Sequence, residues 1–112
     1  MQSANVMISK LGGLTTFEAM ACGLPIIADA TTEPMPQEAG TVQLISNSGA
    51  GIMLRKTSDI VATVRNLATD RMKYAAMKAA TTGLAMPNST ECIIREINAL
   101  LPPPANVVAI AA

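Results

Sequence analysis

The sequence predicts an α/β fold, a parallel sheet with flanking helices, from three observations. Short β-prone runs alternate with segments whose apolar residues recur at helical spacing. The run at residues 24–28 is apolar without interruption, which is typical of a strand buried on both faces of a parallel sheet. Glycine or proline marks several boundaries between the segments, as at residues 12–13, 23–25 and 34–36.

The first half of the chain predicts two strands around a helix. Residues 5–9 are β-prone and lead into a turn at residues 10–13. A helix is expected over residues 15–22, because Gly23 stands at its C-terminal end and Pro25 just beyond. The apolar run at residues 24–28 is the second strand.

A loop rich in turn-forming residues, 29–36, precedes the next predicted helix at residues 37–47, which Gly49 ends. Residues 51–54 are the third predicted strand. Helices are then expected over residues 58–68 and, more weakly, over residues 71–80.

A last predicted helix begins with Asn88 or Ser89 as its N-cap and ends at the three prolines 102–104. Its apolar stripe consists of Ile93, Ile94, Ile97, Leu100 and Leu101. We expect one partial domain over residues 1–101 and a flexible tail over residues 102–112. Three strands are few for a parallel sheet, and we therefore expect a truncated α/β domain.

Composition excludes several classes of function. The 112 residues carry eight basic and eight acidic side chains, and only 2% are aromatic. Neither a basic surface nor a stacking platform for nucleic acid is therefore expected. The chain has no His, which removes a His general base and most zinc and haem sites, and we predict no cofactor and no metal.

The two cysteines, Cys22 and Cys92, stand in apolar surroundings and form no CxxC pair. We predict that both are buried thiols of a reducing compartment, with a disulfide as the less favoured alternative. No signal peptide and no membrane span are evident in the sequence.

Two segments are predicted to meet at one edge of the sheet, because helices of parallel β-α units begin at the carboxyl ends of the strands. The first is the run of Gly12, Gly13, Leu14 and Thr15, where backbone amides at a helix N-terminus suit a phosphate. The second is the pair Gln37 and Glu38, in the first turn of the following helix. A plain tight turn and an acidic residue complementing the helix dipole are the alternatives.

Glu18 has two interpretations. Residues 15–18 read T-x-x-E, the pattern of a capping box in which Glu18 bonds back to the Thr15 amide. Alternatively, Glu18 accepts hydrogen bonds from ribose hydroxyls one turn into a phosphate-binding helix.

These motifs carry a resemblance. Residues 4–27, with GGLT-x-x-E-A and the G-L-P turn, resemble the carboxy-terminal domain of GT-B glycosyltransferases. Residues 35–41, MPQEAGT, are similar to a second motif of the group that includes monogalactosyldiacylglycerol synthase, bacterial diacylglycerol glucosyltransferases and the MurG-type transferase. Pro36 and Thr41 depart from its usual Gly and Asn, which leaves the identity of the sugar open.

The resemblance implies a UDP-sugar site on a Rossmann-like, partial GT-B domain. The backbone of Gly12, Gly13, Leu14 and Thr15 would face the diphosphate. Glu18 would hold the ribose hydroxyls, and Gln37 and Glu38 the hydroxyls of the donor sugar.

The resemblance also implies what the chain lacks. The acceptor site and catalytic base of such enzymes belong mainly to an amino-terminal domain. We therefore expect the donor-binding portion of a hexosyltransferase that makes a glycolipid, inactive until such a domain is supplied. Its partners would be a UDP-sugar, a lipid acceptor reached through that domain, and a partner chain or a second copy. We expect it in the cytoplasm, peripheral at the membrane through the parent enzyme.

Three alternatives stay open. The chain could be a non-catalytic Rossmann-like remnant that docks to a partner. It could be the donor domain of a retaining GT-B transferase, because residues 18–25 resemble that group as well. A dinucleotide oxidoreductase is disfavoured, because G-x-G-x-x-G is absent.

Overall fold

The computed structural model describes residues 1–102. Three parallel strands, β1 (Met7–Ser9), β2 (Ile26–Asp29) and β3 (Gly51–Leu54), form a sheet in the order β1-β2-β3. Five helices accompany them: α1 (Gly13–Ala21), α2 (Ala39–Ser48), α3 (Ile60–Thr69), α4 (Arg71–Gly83) and α5 (Ser89–Leu100). Short 3-10 turns, Pro36–Glu38 and Thr57–Asp59, precede α2 and α3. The predicted α/β fold with a parallel sheet is confirmed. Of the tail predicted at 102–112, all but Pro102 lies outside the described residues.

Strand β2 is the centre of the fold. Ile26, Ile27 and Ala28 are all fully buried, because side chains of alternating orientation meet helices on both faces of the sheet. Ile26 and Ala28 belong to the apolar core that includes Met20 of α1 and Ile45 of α2. Ile27 belongs to the core on the other face, with side chains of α3 and α4. The uninterrupted apolar run in the sequence thus corresponds to a strand that is buried on both faces of the sheet.

Two glycines end helices as the sequence predicts. Gly23 follows α1 with φ 60°, and Gly49 follows α2 with φ 76°. This left-handed backbone is costly for any residue with a Cβ, so glycine ends a helix here without strain. After each of these two glycines, the chain changes direction and enters the next strand within three residues.

Helix α1 begins two residues earlier than predicted, at Gly13 instead of Thr15. Gly12 is its N-cap, with extended backbone angles of φ −66° and ψ 148°, and no side chain caps the helix. Thr15 therefore lies inside the helix, and the T-x-x-E capping box is not formed.

The prediction that both cysteines are buried is wrong: Cys22 and Cys92 are free thiols, as favoured over a disulfide, but both are exposed. Cys22 follows the last residue of α1, and Cys92 lies in α5, whose residues are all exposed. Apolar neighbours in sequence do not bury a side chain when the helix turns that position toward solvent.

The apolar stripe of α5 is also exposed, although the apolar face of an amphipathic helix usually packs against the core. Ile93, Ile94 and Ile97 retain 51–60% of their accessible surface, and Leu100 retains 86%. Within residues 1–102, no part of the protein covers this stripe. No helix in this part of the chain is long and apolar enough to cross a membrane.

We expect the purified chain to self-associate, because a contiguous exposed apolar stripe favours association in water. Replacing Ile93 and Ile97 together by Gln should shift the chain toward monomer in light scattering coupled to gel filtration. The matched control replaces Ala75 and Ala76, exposed positions of α4, by Gln. A wild-type chain that stays monomeric at high concentration would contradict this prediction.

Candidate functional site at the carboxyl edge of the sheet

A cavity of about 480 Å³ lies at the carboxyl ends of the three strands. Lys10 follows β1, Asp29 ends β2 and Arg55 follows β3, and all three line it. The loop at residues 30–35 and the side chains of Glu38 and Val42 complete the wall. The volume is within the range of small-molecule sites, and the carboxyl edge is where parallel α/β sheets bind ligands.

The structure brings only part of the predicted site to this cavity. Glu38 lines it, whereas Gln37 and Glu18 do not. Gly12, Gly13, Leu14 and Thr15 lie at the start of α1, directly after the lining residues Lys10 and Leu11. Glu18 is exposed on the second turn of α1.

The start of α1 has room for a ligand. A Cβ added at Gly12 or at Gly13 would meet no heavy atom within 4 Å, and neither glycine has a positive φ. Packing and backbone strain therefore do not require glycine at either position. The first amides of α1 also lack intrahelical acceptors, as at every helix N-terminus.

Gln37 and Glu38 lie in a 3-10 turn that leads into α2, and not in the first α-helical turn as predicted. The Met35 amide donates a hydrogen bond to Oε2 of Glu38 at 3.1 Å, and the Gln37 Nε2 donates to the Met35 sulfur at 3.1 Å. Pro36 starts this turn because its fixed φ suits the first helical position. Both side chains thus help to shape the loop that walls the cavity.

Asp29 is a cavity residue that the sequence analysis missed as a site residue. Its Oδ1 accepts hydrogen bonds from the Thr31 hydroxyl at 2.7 Å and from the Thr31 amide at 3.1 Å. These bonds, together with the nearby positive charge of Lys10, hold the pKa of Asp29 below its ordinary value. Asp29 is therefore an ionised, oriented acceptor at the end of the central strand.

Lys10 and Arg55 were missed as well. Their positions, one residue beyond a strand in a parallel sheet, carry the signal that places them at this edge. In the sequence, Lys10 directly follows the first predicted strand and Arg55 directly follows the third.

The fold and site define an α/β domain with a cavity at the carboxyl edge of its parallel sheet, the edge at which α/β proteins bind ligands. No protein-family model matches the chain. Curated relatives do match it, and all those compared below are processive diacylglycerol β-glucosyltransferases of Bacillus species.

The relative from Bacillus pumilus (strain SAFR-032) is 35% identical over 92 residues, which are 81% of this chain and 23% of the relative. The one from Bacillus licheniformis is 35% identical over 95 residues, 84% of this chain and 24% of the relative. The one from Bacillus subtilis (strain 168) is 34% identical over 92 residues, 81% and 23% respectively. The chain thus spans about a quarter of the length of these relatives. These similarities confirm the predicted resemblance to glycosyltransferases that make glycolipids.

Proposed function

We propose that the chain is the UDP-sugar-binding portion of a hexosyltransferase that makes a glycolipid. The observation that carries the proposal is the similarity, over more than four-fifths of the chain, to glucosyltransferases whose name specifies diacylglycerol. The carboxyl-edge cavity supports it, since it is large enough for a small-molecule ligand and lies beside the N-terminus of α1.

In this proposal the two ends of the site hold different parts of the donor. The amides of Gly13, Leu14 and Thr15 at the start of α1, together with the open space at Gly12, receive the diphosphate. Gln37 and Glu38 receive sugar hydroxyls from the loop side. Within the glycosyltransferases, the motifs favour the monogalactosyldiacylglycerol synthase and MurG-like group.

The proposal extends to the parent enzyme. The lipid acceptor is held by an amino-terminal domain, in cis or on a partner chain, and this chain forms the partial domain at residues 1–101. The enzyme works in the cytoplasm, at the membrane surface where diacylglycerol resides.

Calorimetric titration of the 112-residue chain with UDP-glucose and UDP-galactose tests the proposal. We expect saturable binding of at least one of them, and of UDP, with ADP as the control nucleotide. The second candidate function, a docking module, is favoured by the exposed stripe of α5. A folded chain that binds none of these nucleotides would contradict donor binding and favour docking.

Glu18→Gln separates the ribose role from a purely structural one. Because the N-cap of α1 is Gly12 and Glu18 is exposed, we expect no more than a slight change in the free energy of unfolding. A charged acceptor lost from the ribose should weaken UDP binding by about 1–3 kcal/mol. Glu91→Gln, on the exposed surface of α5, is the matched control. Equal UDP affinity in the two variants would remove Glu18 from the site.

A further inference from the structure

Asp29 has one carboxylate oxygen that the chain engages and one that it leaves free. The residue ends the central strand β2, is half-buried and lines the carboxyl-edge cavity. Both of its hydrogen bonds, from the hydroxyl and the amide of Thr31, go to Oδ1, and Oδ2 accepts none from the described residues. Because the bonds to Oδ1 restrict the orientation of the carboxylate, Oδ2 is an acceptor that a ligand can use without reorganising the side chain.

The end of β2 is unsuited to the phosphate groups of a ligand. The hydrogen bonds from Thr31 hold the pKa of Asp29 below its ordinary value, so the carboxylate is ionised near neutral pH. A phosphate placed against it would meet a like charge, which the nearby Lys10 offsets only in part. The part of a ligand that contacts Asp29 is therefore one that donates hydrogen bonds and carries no negative charge.

The order of groups in the donor determines which part of it reaches Asp29. In a nucleoside diphosphate sugar, the diphosphate stands between the nucleoside and the sugar. In the proposed function the diphosphate lies at the start of α1 and the ribose at Glu18, which does not line the cavity. The sugar then extends in the other direction, into the cavity that Asp29 and Glu38 line.

Glu38 offers a second acceptor of the same kind from the loop side of the cavity. It is half-buried, and its Oε2 accepts a hydrogen bond from the Met35 amide at 3.1 Å, while Oε1 accepts none from the part of the chain that the structure describes. A hexose carries several hydroxyl donors around one ring, and hydrogen bonds to ionised acceptors are stronger than those to neutral ones. Two oriented carboxylates on different walls therefore suit a neutral hexose better than an anion.

We propose that Asp29 is a specificity-determining residue of the donor site, which accepts a hydrogen bond from a hydroxyl of the sugar and is positioned for it by Thr31. This inference rests on the proposed function, and it adds a sugar contact from the end of the central strand to those assigned to Gln37 and Glu38. Asp29 lies outside both the glycine motif and the Gln-Glu motif.

Calorimetric titrations of the full chain with UDP, UDP-glucose and UDP-galactose test the inference. The contribution of the sugar is the ratio of the dissociation constant for UDP to that for the UDP-hexose. Asp29→Asn keeps the shape of the side chain and an Oδ1 acceptor for Thr31 but removes the charge. We expect it to lower this ratio by about tenfold for the hexose that the wild type prefers, and to leave UDP affinity nearly unchanged. Thr31→Val should lower the ratio in the same direction, but by less.

Asp59→Asn is the matched control, because Asp59 also accepts a hydrogen bond from a neighbouring hydroxyl, that of Ser58, and does not line the cavity. Circular dichroism and urea unfolding confirm that each variant is folded. Equal losses of UDP and UDP-hexose affinity in Asp29→Asn would assign Asp29 to the nucleoside or to the shape of the loop, and would overturn the inference.

The inference is also wrong if the ratio is unchanged in Asp29→Asn or falls as far in Asp59→Asn. It is wrong as well if the wild type binds UDP and both UDP-hexoses equally, and in each of these cases nucleotide binding stands. A ratio in Thr31→Val equal to that of the wild type would contradict the positioning role of Thr31. If the folded wild type binds none of the three ligands, the proposed function fails and the inference with it.

Discussion

Gly51→Ala is expected to destabilise the protein by about 1–3 kcal/mol, a large share of the stability of a small domain. A Cβ at Gly51 would lie 2.5 Å from Cγ2 of Ile45 and 2.9 Å from the carbonyl oxygen of Ile26. The Ile26 carbonyl belongs to the central strand and cannot move without breaking the sheet. Helix α2 would have to shift away from the sheet, and with it the turn that carries Glu38.

Urea unfolding measures this effect, and Gly40→Ala is the matched control. Gly40 lies in α2, has no positive φ, and a Cβ there meets nothing within 4 Å. Alanine favours the helix, so this control should be neutral or stabilising by up to about 1 kcal/mol. Equal unfolding midpoints for the two variants would show that α2 does not pack on β3 as closely as described.

The second prediction with a large expected effect concerns sugar transfer. We expect this chain alone to transfer no sugar. Glycosyl transfer needs an acceptor hydroxyl held against the donor's anomeric carbon and a group that activates the hydroxyl. The chain has no His. Three carboxylates line the cavity, Asp29, Glu33 and Glu38, and two of them, Asp29 and Glu38, already accept hydrogen bonds from residues of their own segment. We therefore expect turnover only when an amino-terminal GT-B domain is supplied, in cis or as a partner chain.

The assay is transfer of radiolabelled hexose from UDP-hexose to diacylglycerol, with a full-length relative as the positive control. Adding a separately expressed amino-terminal domain should raise transfer above the background of either piece. Robust transfer by the 112-residue chain alone would place the acceptor site within it and overturn the proposal that an amino-terminal domain holds the acceptor.

Local sequence signals predicted most of the fold, because strand burial and helix ends depend mainly on the residues of the segment itself. The uninterrupted apolar run predicted a strand buried on both faces, and β2 is such a strand. Gly23 and Gly49 predicted where α1 and α2 end, because the left-handed backbone there is set by the residue itself.

Other features depend on contacts between segments that are distant in sequence, and a local pattern does not report these contacts. The T-x-x-E pattern predicted a cap at Thr15, but the extended backbone of Gly12 starts the helix two residues earlier. The stripe of α5 predicted an amphipathic helix and not what would cover it, and within the described residues it stays exposed. Periodicity identifies an apolar face but carries no information about its partner.

The sequence predicted where in the fold the candidate site lies, but not all of the residues that line it. Parallel topology put the glycine turn and Glu38 at one edge of the sheet, and the cavity is there. The ends of strands contribute to that edge as much as the starts of helices do, which is why Lys10, Asp29 and Arg55 line it. Glu18 was assigned from its place in the helix and from the resemblance; it does not line the cavity, and its ribose role stays a prediction.

Mapping UDP-induced chemical shift changes on the ¹⁵N-labelled chain tests most directly whether the carboxyl edge holds the nucleotide sugar. We expect the largest changes in the amides of residues 10–15, at residues 29–38 and at Arg55, with those of α5 unaffected. Changes confined to α5 or to the far ends of the strands, or none at saturating UDP, would contradict a donor site at this edge.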